Sequence, residues 1–74
     1  MDWKDYITSD PKILFGKPVI KNTRVPVDLL LEKLAAGITK DELLLAYPRL
    51  TLNDIQAILL FAAESAKHEK VLAI

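Results

Sequence analysis

Two six-residue segments constrain this chain more than anything else in it. Ile38-Thr39-Lys40-Asp41-Glu42-Leu43 and Leu50-Thr51-Leu52-Asn53-Asp54-Ile55 share one arrangement: an apolar residue, a threonine, an acid three positions later, then a second apolar residue. A threonine at a helix start accepts a hydrogen bond from a first-turn backbone N–H, and the flanking apolar pair clamps the entry of the chain. In the first segment Glu42 can accept from the backbone N–H of Thr39 in return, which makes a capping box with Ile38 and Leu43 as its staple. In the second, Thr51 is the cap, Asp54 stands in the first turn, and Leu50 and Ile55 form the staple. Between them Pro48 biases Tyr47 out of helical geometry. The sequence therefore predicts helix, tight turn, helix.

The helical period extends to both sides. Val27, Leu30, Leu31 and Leu34 fall at helical spacing, and Gly37 supplies a left-handed stop. In the last helix Leu52, Ile55, Leu59, Ala62 and Ala66 make one stripe. Leu60 and Phe61 lie roughly 100° and 200° away from Leu59. A helix apolar nearly all round is buried on more than one side. Either Trp3, Tyr6 or the Val71–Ile74 tail covers Phe61, or Leu60 and Phe61 form the seam of a dimer. Size favours the second reading. A chain of 74 residues builds a core that supplies only about 3–5 kcal/mol net, and small domains add disulfides, metals or oligomerisation. There is no cysteine, and His68 alone cannot hold a metal, so a homodimer is expected.

Residues 16–27, Gly-Lys-Pro-Val-Ile-Lys-Asn-Thr-Arg-Val-Pro-Val, read differently. Short β-branched runs flank Lys21-Asn22-Thr23, which predicts a hairpin with Asn22 at a positive-φ tip. Pro18 and Pro26 cannot donate ladder hydrogen bonds, so the strands are edges. The charge is segregated here. Lys12, Lys17, Lys21 and Arg24 face no acid between residues 11 and 27, whereas residues 1–10 and 28–74 each carry −2, for a net charge of zero. An anionic partner must therefore be met by the ribbon, unless the ribbon is only a solvated hairpin.

Other chemistry is sparse. Ser9 and Ser65 lack a histidine at suggestive spacing, Asp41 and Glu42 are explained by the capping box, and only two glycines exist, so no phosphate loop forms. No catalytic residue, metal site or cofactor is expected. The opening Met-Asp-Trp-Lys-Asp-Tyr has no signal-peptide pattern, and the longest apolar run, Ala57–Ala63, is too short to span a bilayer. A cytoplasmic protein with no membrane partner is the expectation. As a DNA reader the last helix offers Asn53 and Gln56, which can pair an adenine edge, but no base before Lys67. Phosphate contacts would fall to Arg49, Lys40 and the ribbon.

Residues 10–64, from Asp10-Pro-Lys through the Gly16-Lys-Pro and Thr23-Arg-Val-Pro-Val segments to Tyr47-Pro and Leu50-Thr, resemble the bacterial "domain of unknown function 433" family. Two departures stand out. Asn22 replaces a usual glycine, and Leu14-Phe15 lacks the extra glycine common before Gly16. The resemblance implies a homeodomain-like or winged helix-turn-helix fold and an antitoxin role beside a PIN-like ribonuclease toxin, with operator DNA as a further partner of the dimer. Lys17, Lys21, Arg24 and Arg49 then become the contacts to partner or phosphate. Arg24 has a rival role as a structural tie to helix C-terminal carbonyls.

The expected molecule is thus mainly α: a short N-terminal β-hairpin followed by a three-helix, helix-turn-helix-like bundle. It is one domain over residues 1–74, with a family-like core at 10–66 and arms at 1–9 and 67–74. A free-standing dimeric transcriptional regulator and a structural interaction domain with no nucleic-acid role are the alternatives to the antitoxin.

Overall fold

A computed structural model of the chain describes residues 1–68. A 3-10 turn at Trp3–Asp5 leads into strand β1 (Ile7–Thr8), which pairs antiparallel with β2 (Val19–Ile20), Ile7 opposite Ile20 and Thr8 opposite Val19. Helices α1 (Val27–Ala35), α2 (Lys40–Ala46) and α3 (Leu52–His68) follow. The architecture is mainly helical, with a two-stranded antiparallel element ahead of three helices, as the sequence predicts.

The ribbon at residues 18–27 turns back at Asn22, but it keeps only one bridge of its own, Val19 to Pro26. Ile20 N–H donates to the Val25 carbonyl at 3.1 Å and Val27 N–H to the Pro18 carbonyl at 2.9 Å. The prolines explain the short ladder, since neither can donate. The free edge of β2 is instead covered by β1, and Lys21 N–H donates to the Tyr6 carbonyl at 2.9 Å.

The helix boundaries follow the local chemistry. Glu42 N–H donates to Thr39 Oγ1 at 3.1 Å, and Thr39 N–H donates to Glu42 Oε1 at 3.3 Å. The second start repeats this with a shorter acid: Asp54 N–H to Thr51 Oγ1 at 3.1 Å, and Thr51 N–H to Asp54 Oδ2 at 2.9 Å. Helix α1 ends in a Schellman arrangement about Gly37, whose φ is 97°. Gly37 N–H reaches the Leu34 carbonyl, and Ile38 N–H the Lys33 carbonyl, both at 3.0 Å.

The core draws on both strands and all three helices: Ile7, Ile20, Leu30, Leu43, Ile55 and Ile58 are all buried. The phase of α3 differs from the predicted stripe. Ile55, Ala57 and Ile58 are buried, whereas Leu52 is 56% and Leu59 40% exposed, and Ala66 is exposed too. Because α3 is apolar nearly all round, its period alone does not select a face. The packed neighbours do: α1, α2 and the N-terminal turn sit on the Ile55–Ile58–Phe61 side. Phe61 meets Trp3 edge-on, with ring centroids 4.9 Å apart, and the Trp3 indole N–H donates to Glu64. Of the two readings of Phe61, the intramolecular one therefore holds. The Phe61 ring is thus engaged within the chain, and Leu60 is half-buried, while Leu52 and Leu59 on the same helix are exposed. The Val71–Ile74 tail lies outside the described residues.

One turn is strained. Leu14, Phe15 and Gly16 have φ of 49°, 58° and 84°, three successive left-handed residues. For leucine and phenylalanine that conformation costs roughly 1–2 kcal/mol each. Backbone bonds from Gly16 N–H to the Ile13 carbonyl (3.0 Å) and from Lys17 N–H to the Leu14 carbonyl (3.2 Å) hold it.

Candidate interaction surface

The ribbon tip is organised by Thr23. Its hydroxyl donates to the Ile20 carbonyl at 2.7 Å and accepts from Val25 N–H at 3.1 Å. That closes the turn and leaves Asn22 at φ 64°, a region asparagine tolerates better than most residues. The α2–α3 junction carries Arg49 up to this tip, where its guanidinium reaches the Asn22 carbonyl at a long 3.5 Å.

Two open grooves flank that contact. The first, about 560 Å³, is bordered by Lys21, Asn22, Arg49 and Asn53, with the carboxylates of Asp5 and Asp54 also on its wall. The second, about 620 Å³, runs over Ile13 and Val19 and carries Arg24 and Arg49 with no acid. The fold thus brings Lys21, Arg24, Arg49 and Asn53 to one end of the molecule.

It does not bring Lys17 there. Lys17 Nζ pairs with Asp28 Oδ2 at 3.0 Å on the first turn of α1, so the sequence expectation of an unopposed cation fails at this position. The acid lies one residue past the ribbon, and only the fold turns it back. The Lys17 ammonium, through that hydrogen bond, holds the Asp28 carboxyl below the usual aspartate range.

The tie expected of Arg24 is absent among the described residues. Arg24 is exposed and forms no ion pair there, and Arg49 links the tip to the helices instead. Sequence reasoning also missed Asp5 and Asp54, which temper the first groove. Asp54 was legible as a helix-start residue, but nothing in its spacing places it beside Lys21.

On α3, Asn53 and Gln56 are exposed about one turn apart. At 100° per residue they share an arc of roughly 120° with Leu52, Leu59 and Ala63. That outward face is apolar with two amides and no cation before Lys67 in the last turn. Among the described residues no three of His, Cys, Asp and Glu gather as for a metal ion, and no helix is long and apolar enough to cross a membrane.

Comparison with known proteins agrees with this architecture. The family model described as "Protein of unknown function (DUF433)" matches residues 7–62. An uncharacterized protein, y4eO, of Sinorhizobium fredii is 37% identical over 59 residues, covering 80% of this chain and 27% of its own length. The crystal structure of a DUF433 member protein from Anabaena variabilis superposes with a TM-score of 0.80 at 31% identity, covering 86% of this chain and 63% of that one. The chain spans about a quarter of the first relative and less than two thirds of the second.

Proposed function

The chain belongs to the DUF433 family of proteins of unknown function, and on that premise we propose that it is an antitoxin-like binding module whose ribbon docks on and silences a PIN-like ribonuclease toxin. One observation carries the reading: Arg24 and Arg49 border a groove without a carboxylate, at a tip fastened by Thr23 and by the α2–α3 junction. A nuclease that gathers carboxylates around a divalent ion offers the complementary charge. A fastened tip loses little conformational freedom on docking, which favours affinity.

The test is co-expression with the product of the adjacent reading frame, co-purification, and assay of that product's ribonuclease activity with and without this chain. The expected outcome is a stable, inactive complex that Arg24→Glu with Lys21→Glu weakens, chiefly through a slower on-rate. An uninhibited nuclease, or no complex at all, sinks the reading.

Operator binding is a second reading, favoured by the short helix, turn and longer helix of α2 and α3 with Asn53 and Gln56 outward. The apolar residues on the same arc weigh against it and suit a protein contact, and we place the homodimer seam there. DNA affinity would fall steeply with salt, each phosphate contact adding about 0.9 to the log–log slope.

A further inference from the structure

Phe15 is fully exposed, at 101% of its reference area, and it sits in the middle of the left-handed turn. Those two facts belong together. An exposed apolar side chain by itself needs no explanation. A bulky residue held at φ 58° does, because glycine takes that conformation without strain. Strain of this kind persists where surrounding structure enforces it, and it clusters at sites that bind. Here the enforcement is visible: Lys12 N–H donates to Asp10 Oδ1 at 2.9 Å, Ile13 N–H to the Asp10 carbonyl at 2.8 Å, and Gly16 N–H closes onto Ile13. The strain does not bury the Phe15 ring. Its effect is to hold an aromatic ring clear of the surface, with the exposed Leu14 beside it.

We propose that Phe15 is the apolar anchor of a protein-docking surface, entering a hydrophobic pocket on a partner whose pocket rim is acidic. The rim chemistry follows from charge. Residues 11–27 contain four bases and no acid, and once Lys17 is paired with Asp28 the cations left are Lys12, Lys21 and Arg24. Ile13, two residues before the anchor, lines the same groove as Arg24 and Arg49, so the turn adjoins the cationic face. An aromatic on a closed turn, next to a groove that carries Arg24 and Arg49 and no acid, is the arrangement of an apolar anchor with a charged rim. One phenylalanine and one leucine present too little apolar area to hold a membrane. A leucine beside the ring suits a protein pocket better than a nucleic-acid strand, where phosphates and stacked bases would flank it.

The inference rests on the partner-binding reading above and names the residue at its centre. Its test measures the affinity of purified wild-type protein, Phe15→Ala, Phe15→Gly and Phe15→Tyr for the product of the adjacent reading frame. Phe15→Ala and Phe15→Gly should each weaken binding about thirty-fold, the size of a hot-spot loss. Phe15→Tyr should retain most of it, and Phe15→Gly should unfold in urea no earlier than wild type. Wild-type binding with no loss in Phe15→Ala overturns the anchor and leaves the functional reading standing. No binding by wild type overturns both. An early urea transition in Phe15→Gly overturns the claim that the ring serves contact and not folding. Loss of single-stranded oligonucleotide binding in Phe15→Ala, with the protein complex untouched, also overturns the proposal.

Discussion

Asn22 and Phe15 share a left-handed backbone and differ in what the sequence revealed about them. Asn22 was legible, because asparagine between two β-branched runs is a turn signal with a mechanism. Leu14 and Phe15 carry no such signal, since nothing about either residue favours positive φ, and only the closed turn imposes it. The difference can be measured. Asn22→Val should destabilise the fold by roughly 1–2 kcal/mol in urea melts, whereas Asn22→Gly should stay within a few tenths. Equal melts for both would mean the tip is not held at positive φ. The Lys17–Asp28 pair gives a second residue-scale test. With its partner present, Asp28 titrates below its ordinary value of 3.8, and Lys17→Met should return it toward that value in an NMR titration. Because the folded-state pKa is the lowered one, any stability from the pair is complete above the ordinary value. It is lost as pH falls through the folded one. The gap between wild type and Lys17→Met should therefore close in acid, and it should be small throughout because the pair is exposed.

At the scale of elements, the helix starts were readable and the helix faces were not. A cap acts within four residues, so Thr39 and Thr51 declare themselves locally, and both accept the expected bonds. Thr39→Ala and Thr51→Ala should each lower stability by about 1 kcal/mol. Unchanged urea midpoints for both would show that the caps contribute nothing. The face of α3 depends on distant partners. Ile55 and Ile58 turn inward because α1 and α2 lie on that side, and Phe61 because Trp3 arrives from the other end of the chain. Trp3→Ala removes an aromatic contact and the donor to Glu64, and should destabilise by about 2 kcal/mol, below the 3–5 of a fully buried aromatic since Trp3 is only partly covered. The single tryptophan also reports directly: Glu64→Ala should shift its fluorescence emission while far-UV circular dichroism stays unchanged.

For the whole molecule, the outward arc of α3 is where the proposed homodimer seam is tested. Leu52 and Leu59 face away from the core, so Leu59→Asp tests a seam without disturbing Trp3 or Phe61. Wild type should sediment as a dimer at micromolar concentration and Leu59→Asp as a monomer with unchanged helicity. A monomeric wild type removes the seam. The same scale separates what was readable from what was not. Short-range chemistry alone determined the three helices: the threonine–acid boxes, Gly37 as a left-handed stop, and Pro48 at the end of α2. It determined the turn at Asn22 and the cationic ribbon too. Each of these depends on interactions within a few residues, where sequence order and spatial order coincide. Tertiary structure alone decided that β2 pairs with Ile7–Thr8, that Asp28 neutralises Lys17, and that Arg49 ties the tip in place of Arg24. It also chose which side of an all-round apolar helix to bury. Those outcomes are set by which surfaces meet when the helices close on a common core, and local spacing carries no record of that.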